Sequence, residues 1–162
     1  MPEKFKDVRP PRGLARLAFR LPIFLYRLGW GGLLGTRFLL LTHTGRKSGL
    51  ERQTVLEVVR YDKATTTFIV AAGFGPESDW YCNICSNPQV TVQCGRMRWQ
   101  MVAGFLTPDQ AGEEMLDYAR RYPSALRELA RFMGYRLDGS PEDVRALGQA
   151  LPMVAFHPKD IT

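Results

Sequence analysis

The sequence predicts an α+β protein in which about six mostly antiparallel strands close, or nearly close, into a barrel with flanking helices. Three observations carry this expectation. Strand-length segments rich in apolar and β-branched residues recur from Phe38 onward, and turn signals built from Asp, Asn, Pro and Gly separate them. Two closely similar helix starts, Thr107-Pro108-Asp109-Gln110 and Ser140-Pro141-Glu142-Asp143, then follow the fifth strand.

The elements follow in chain order. Residues 12 to 29 set Arg16, Arg20 and Arg27 among apolar side chains, and Pro22 divides them into two short amphipathic helices. This segment suits either of two places: one end of the barrel, covered by its apolar face, or an anionic membrane surface met through residues 12–30. Glycines between 29 and 35 make a flexible turn. Phe38 to Thr42 is a continuous apolar run of strand length. From Gln53 to Tyr61 the residues alternate, with Val55, Glu57 and Val59 on one side and Thr54, Leu56 and Val58 on the other. Asp62 to Ala64 turn the chain into a third strand, Thr65 to Ala72.

Asp79 to Ser86 reads as a short helix with Asp79 as its N-cap, stopped by Asn87-Pro88. Val90 to Cys94 and Met97 to Leu106 form a hairpin around Gly95-Arg96. A helix capped by Thr107 runs to about Arg121, a second spans Ser124 to about Gly134, and a third starts at Ser140. Leu151 to His157 supplies the last strand. The organisation expected is an N-terminal amphipathic segment, 1–36, followed by a barrel domain, 37–162.

Composition narrows the function. Of the 162 residues, 45% are hydrophobic and 23% charged, which excludes a disordered chain. The net charge of +6 favours an anionic partner. Three cysteines, an odd number, argue against a disulfide framework and for a reducing cytoplasm. Arg27, Arg37 and four glycines interrupt the apolar stretch from Leu21 to Leu41, so it makes a poor membrane span. No recognition-helix pattern or aromatic-interleaved basic strand points to nucleic acid.

The chemistry-bearing motif is T-H-T-G-R-K-S-G, residues 42–49, directly after a strand. Its two glycines permit tight turns and close backbone approach, so several N–H groups can converge on one anion. Arg46 and Lys47 supply charge, Ser48 a hydroxyl, and Arg52 a further guanidinium suited to phosphate or carboxylate. The spacing is not that of a Walker loop. Taken by itself, the motif is equally a basic β-turn.

Read with V-A-A-G-F-G at 70–75, D-W-Y at 79–81, Asn83 and N-P-x-V-x-V at 87–92, in that order, the motif resembles the deazaflavin (coenzyme F-420)-dependent nitroreductase family. That family is a branch of the FMN-binding split β-barrel oxidoreductases. The resemblance implies a split β-barrel and a hydride-transferring enzyme. It assigns Arg46, Lys47, Ser48, Gly49 and Arg52 to the acidic tail of the coenzyme. Ala71, Ala72, Gly73 and Phe74 would line its ring, with Trp80 and Asn83 beside the pocket. It further implies a small lipophilic acceptor, such as a quinone, nitroaromatic or enone, reduced by an enzyme that is a monomer or a homodimer. Family members often carry tyrosines after Y-P near the substrate. This chain has Tyr122-Pro123 but then Ala125 and Glu128, so Tyr122 and Tyr135 are the candidates to assist the acceptor. An FMN-dependent sibling, and a non-catalytic barrel carrying a coenzyme, haem or lipid, are the alternatives.

Hydride chemistry needs few catalytic side chains, because the coenzyme carries the hydride itself. Accordingly no paired carboxylates or Ser-His-Asp set is expected. Cys82-x-x-Cys85 lacks a second pair for zinc and a βαβ unit for thioredoxin-like redox work, so these residues and Cys94 read as packing residues. His43 reads as a strand-end polar residue or a coenzyme contact, and His157 as structural.

Overall fold

The structure, a computed structural model, describes residues 2–5 and 35–159. Nearly all of segment 1–36, including the two amphipathic helices and the membrane-facing stretch 12–30, lies outside the described residues. The strands are β1 (Glu3–Lys4), β2 (Phe38–Thr44), β3 (Glu51–Asp62), β4 (Thr67–Ala71), β5 (Gln89–Cys94), β6 (Met97–Phe105), β7 (Tyr135–Arg136) and β8 (Met153–Pro158). The helices are α1 (Asp79–Ser86), α2 (Pro108–Arg121), α3 (Pro123–Phe132) and α4 (Pro141–Ala150). Six strands close into a barrel in the order β2-β3-β4-β8-β6-β5, every pairing antiparallel. This is the expected α+β split barrel. The sequence reading did not foresee the two-residue ladder between β1 and β7.

The period of two puts alternate residues inside. Leu39, Leu41, Phe68, Val70, Val92 and Phe156 fill the interior, and Ile84 of α1 plugs one end. A second core lies on the outer wall, where Val59, Ile69, Met153 and Ala155 meet α2, α3 and α4. A register shift between Val58 and Arg60 serves both cores. It places Val58 opposite Val70, Arg60 opposite Ile69 and Tyr61 opposite Phe68. Tyr61 therefore turns inward to stack on Phe68, with ring centroids 4.3 Å apart. Arg60 turns outward and donates to both carboxylate oxygens of Glu114 on α2, at 2.8 and 2.9 Å. Simple alternation along β3 ends at this bulge, because one extra residue reverses the parity.

The helix starts form as their sequences require. Gln110 N–H donates to Thr107 Oγ1 at 3.3 Å and Thr107 N–H to Gln110 Oε1 at 2.9 Å, a complete capping box with Pro108 at the first turn. Replacing Thr107 with alanine is expected to lower stability by about 1 kcal/mol and the melting midpoint by about 3 °C. Thermal unfolding of the variant checks this, and an unchanged midpoint would show the cap to be dispensable.

At α1 one expectation needs correction. The cap residue is Ser78, and Asp79 is the first helical residue. Ser78 is buried and its hydroxyl donates to Gly75 O at 2.9 Å, which leaves no side-chain cap. Asp79 still meets the positive end of the helix, and its carboxylate is free to reach outward. Cys85 also departs from the packing role expected of it. It is exposed, whereas Cys94 is buried and burial pushes its thiol up to about 11.

Candidate functional site

The strand order brings the cationic turn and the 71–78 segment to the same end of the barrel. β2 leaves through residues 45–50 and β4 leaves through Ala71, and α1 closes the barrel between them. The turn is built tightly. Gly45 N–H donates to Leu50 O and Gly49 N–H to Gly45 O, both at 2.8 Å, while Leu50 N–H donates to Ser48 Oγ at 3.2 Å. Gly49 has φ +69, where a side chain would be strained, and a Cβ on Gly45 would fall 2.7 Å from Ser48 Oγ.

Arg46 ties this turn to α1. Its backbone N–H donates to Asn83 Oδ1 at 3.0 Å, and one guanidinium nitrogen donates to the same oxygen at 2.8 Å. The guanidinium also pairs with Asp79 at 3.3 Å. Asn83 is buried, and its Nδ2 lies 3.1 Å from Nδ1 of His43, which is also buried. His43 stands across the ladder from Arg52. Burial first, and the Arg52 charge second, depress its pKa from 6.5 to about 4, with Asp79 acting in the opposite sense. Among the described residues neither Lys47 nor Arg52 has an ion-pair partner, and both are exposed. The turn thus presents Lys47, Ser48 and Arg52 outward while Arg46 anchors it from behind.

The second segment leads from β4 to α1. Ala72 is fully buried and its N–H donates to Pro152 O at 2.8 Å. A Cβ on Gly73 would lie 3.1 Å from Met133 Sδ, so the end of α3 comes close to the backbone here. Phe74 meets Phe132 edge to face at 5.8 Å, and Phe132 is half exposed. Trp80 and Tyr81 stand edge to face at 5.9 Å and pack against the barrel interior. The fold therefore brings Arg46 to Gly49, Arg52, Ala71 to Phe74, Trp80 and Asn83 around one end of the barrel.

The two tyrosines lie outside the cationic turn. Tyr122 lies between α2 and α3, with the Arg37 and Arg121 guanidinia 5.6 and 5.3 Å from its ring centre. Tyr135 sits in the β1–β7 ladder under Lys4, two residues after Met133. Phe132 and Met133 enter the site without any motif to mark them, because each acts through a partner far away in sequence, whereas His43, a residue of the 42–49 motif, is tied to the site through Asn83.

A groove of about 490 Å³ lies on the outer wall, lined by Arg60, Thr67, Gly104, Glu114 and His157 among others. Its arginine is already held by Glu114, and His157 Nδ1 rests 3.2 Å from Thr67 Oγ1. It is a structural cleft between sheet and α2, distinct from the cationic turn. Among the described residues no His, Cys, Asp or Glu cluster could hold a metal ion, and no helix is long and apolar enough to cross a membrane.

A closed antiparallel barrel with a glycine-bounded turn that carries exposed cations defines the class by its fold: an α+β split barrel. The chain belongs to the F420H(2)-dependent quinone reductase family, whose model matches residues 28–130. It is an F420-dependent reductase, and its cofactor is coenzyme F420. Solved structures share the fold. An F420-H2 dependent reductase (FDR-A) is 22% identical over 75% of this chain and 94% of its own, with a TM-score of 0.51. A structure described as a domain-swapped dimer is 20% identical over 90% and 100%, with a TM-score of 0.54. A conserved hypothetical protein of Mycobacterium tuberculosis is 12% identical over 83% and 80%, with a TM-score of 0.53.

The donor set fits this cofactor. Lys47, Arg52, the Ser48 hydroxyl and a turn whose glycines leave room for close approach suit a phosphate with an acidic tail.

Proposed function

We propose that residues 46–49 and Arg52 hold the acidic tail of the coenzyme, that Ala71 to Phe74 and Trp80 line its ring, and that the acceptor is a small lipophilic molecule of the quinone class. Nitroaromatics and enones share the needed chemistry, an electron-poor group that takes a hydride. One observation carries the reading. Arg46 fastens the cationic turn to α1, so charge for a tail and apolar surface for a ring stand at one end of one barrel.

Bound coenzyme F420 supplies a hydride from its own ring carbon. The chain's residues bind, orient and exclude water. Lys47 and Arg52 neutralise the tail, and Ser48 offers a hydroxyl donor. Phe74 and Phe132 give an apolar wall that disfavours water near an acceptor ring. Reduction leaves negative charge on the acceptor, which a phenol can meet by donating a proton. Tyr135 is the better placed of the two candidates, because it follows Met133, which abuts Gly73. Tyr122 keeps its aromatic face between two arginines. The cytoplasm suits an enzyme of this kind, and contact of residues 12–30 with an anionic membrane would bring it to lipophilic quinones. Arg16, Arg20 and Arg27 among leucines and phenylalanines support that contact.

The test is a fluorescence titration with oxidised F420, beside FMN, at two salt concentrations. Wild type should bind F420 in a salt-sensitive manner and prefer it to FMN. Lys47→Ala should weaken F420 about tenfold, equivalent to about 1.4 kcal/mol, and flatten the salt dependence. Equal affinity of wild type and variant would remove the turn from the coenzyme site.

A further inference from the structure

The amide of Asn83 has only one orientation that satisfies its neighbours. The backbone N–H of Arg46 can only donate, and so can its guanidinium, so the atom facing both must be Oδ1. That leaves Nδ2, a donor, 3.1 Å from Nδ1 of His43. Nδ1 must therefore accept, which places the imidazole proton on Nε2 and requires a neutral ring. All three groups are linked across β2, the turn and α1, and Asn83 and His43 are buried.

We infer that His43 is a positioning residue for the coenzyme: by accepting from Asn83, it holds the amide in the orientation that locks Arg46 and presents the 46–49 turn. The inference rests on the reading of that turn as the coenzyme's anion site. It assigns His43 no contact with the coenzyme. With the acceptor removed, Nδ2 becomes a buried donor without its partner, and the amide can regain one only by turning or shifting out of the place where it holds Arg46. A turned amide would set its NH₂ group against the Arg46 N–H and guanidinium, donor against donor, and the turn would lose both of its bonds to Asn83. The remaining ties, to the backbone oxygen and the carboxylate of Asp79, are long and exposed. The groups that face His43 are consistent with a neutral ring. Arg52 on β3 opposes a positive charge there, and Asp79, which acts in the opposite sense, lies at the solvent edge.

Two substitutions separate this role from simple packing. His43→Leu fills the space but offers no acceptor. His43→Asn is smaller, but its Oδ1, bonded to Cγ as Nδ1 is, restores an acceptor near the same place. The first measurement needs no coenzyme: hydrogen exchange of the Arg46 amide by NMR. Its protection should fall by about tenfold or more in His43→Leu and return in His43→Asn, while amides of the β5–β6 hairpin stay unchanged. The second is the F420 titration, where the dissociation constant should rise about tenfold in His43→Leu and recover in His43→Asn. A packing role would give the reverse order, with asparagine the worse of the two. Unchanged Arg46 protection in His43→Leu overturns the inference whatever the coenzyme does. Altered protection with no F420 binding even by wild type overturns the coenzyme reading instead, and with it the purpose given to His43.

Discussion

Gly148→Val is expected to lower stability by about 3 kcal/mol and the melting midpoint by about 10 °C, through overpacking between α2 and α4. A Cβ on Gly148 would stand 2.6 Å from Ala111 O, 2.7 Å from Met115 Cβ and 2.9 Å from Gly112 Cα. Two of these three atoms are backbone, so no rotamer change relieves the clash. The approach is mutual, since a Cβ on Gly112 would lie 2.8 Å from Arg145 Cγ and 3.1 Å from Arg145 O. Gly148→Ala should cost less, about 2 kcal/mol, because better helix propensity offsets about 1 kcal/mol of the strain. Gly104→Ala is the control. There the nearest atom would be His157 Nε2 at 3.6 Å, an ordinary contact, and stability should stay within about 0.5 kcal/mol. Chemical unfolding of the three variants checks the order. A Gly148→Val protein as stable as wild type would show that α4 can move away from α2 without loss.

The second large effect is on acid stability. His43 has a pKa near 4 in the folded protein against 6.5 as its ordinary value. The unfolded chain therefore binds a proton as pH falls through about 6.5, while the folded protein does not do so until about pH 4. Stability from the neutral, buried ring is fully present above pH 6.5, declines between about 6.5 and 4, and levels off below. The depression is worth about 3 kcal/mol at about 1.4 kcal/mol per pKa unit. Carboxylates titrate over the lower part of the same range, so the quantity to measure is a difference. Unfolding free energies of wild type and His43→Asn should converge by about 3 kcal/mol between pH 7 and 4, since asparagine takes up no proton. Curves that stay parallel would mean that His43 is not held neutral by the fold.

Much of the architecture was legible because it depends on near neighbours in sequence. Thr107, Pro108 and Gln110 form their cap within four residues, and α1 spans Asp79–Ser86 as its boundaries suggest. The six barrel strands appear within two residues of the expected bounds, because alternation and turn residues are local signals. The bulge at Val58 and Arg60 was not legible. It depends on two cores competing for successive residues of one strand, which no window along β3 contains. The same holds for Ser78 displacing Asp79 as the cap, since a bond to Gly75 O decides it.

By itself the sequence determined the barrel class and the family resemblance, and it placed the cationic turn through Arg46, Lys47, Ser48 and Gly49. Charge, hydroxyls and glycines in a short run state their own chemistry. Only the tertiary structure decided what that turn is fastened to. Asn83 follows Arg46 by 37 residues and His43 by 40, and Phe132 follows Phe74 by a still longer stretch. Closing the barrel brings these pairs together. A hydrogen bond or a ring contact falls off within a few ångströms, so which side chains make one is settled by the closed sheet and not by spacing along the chain.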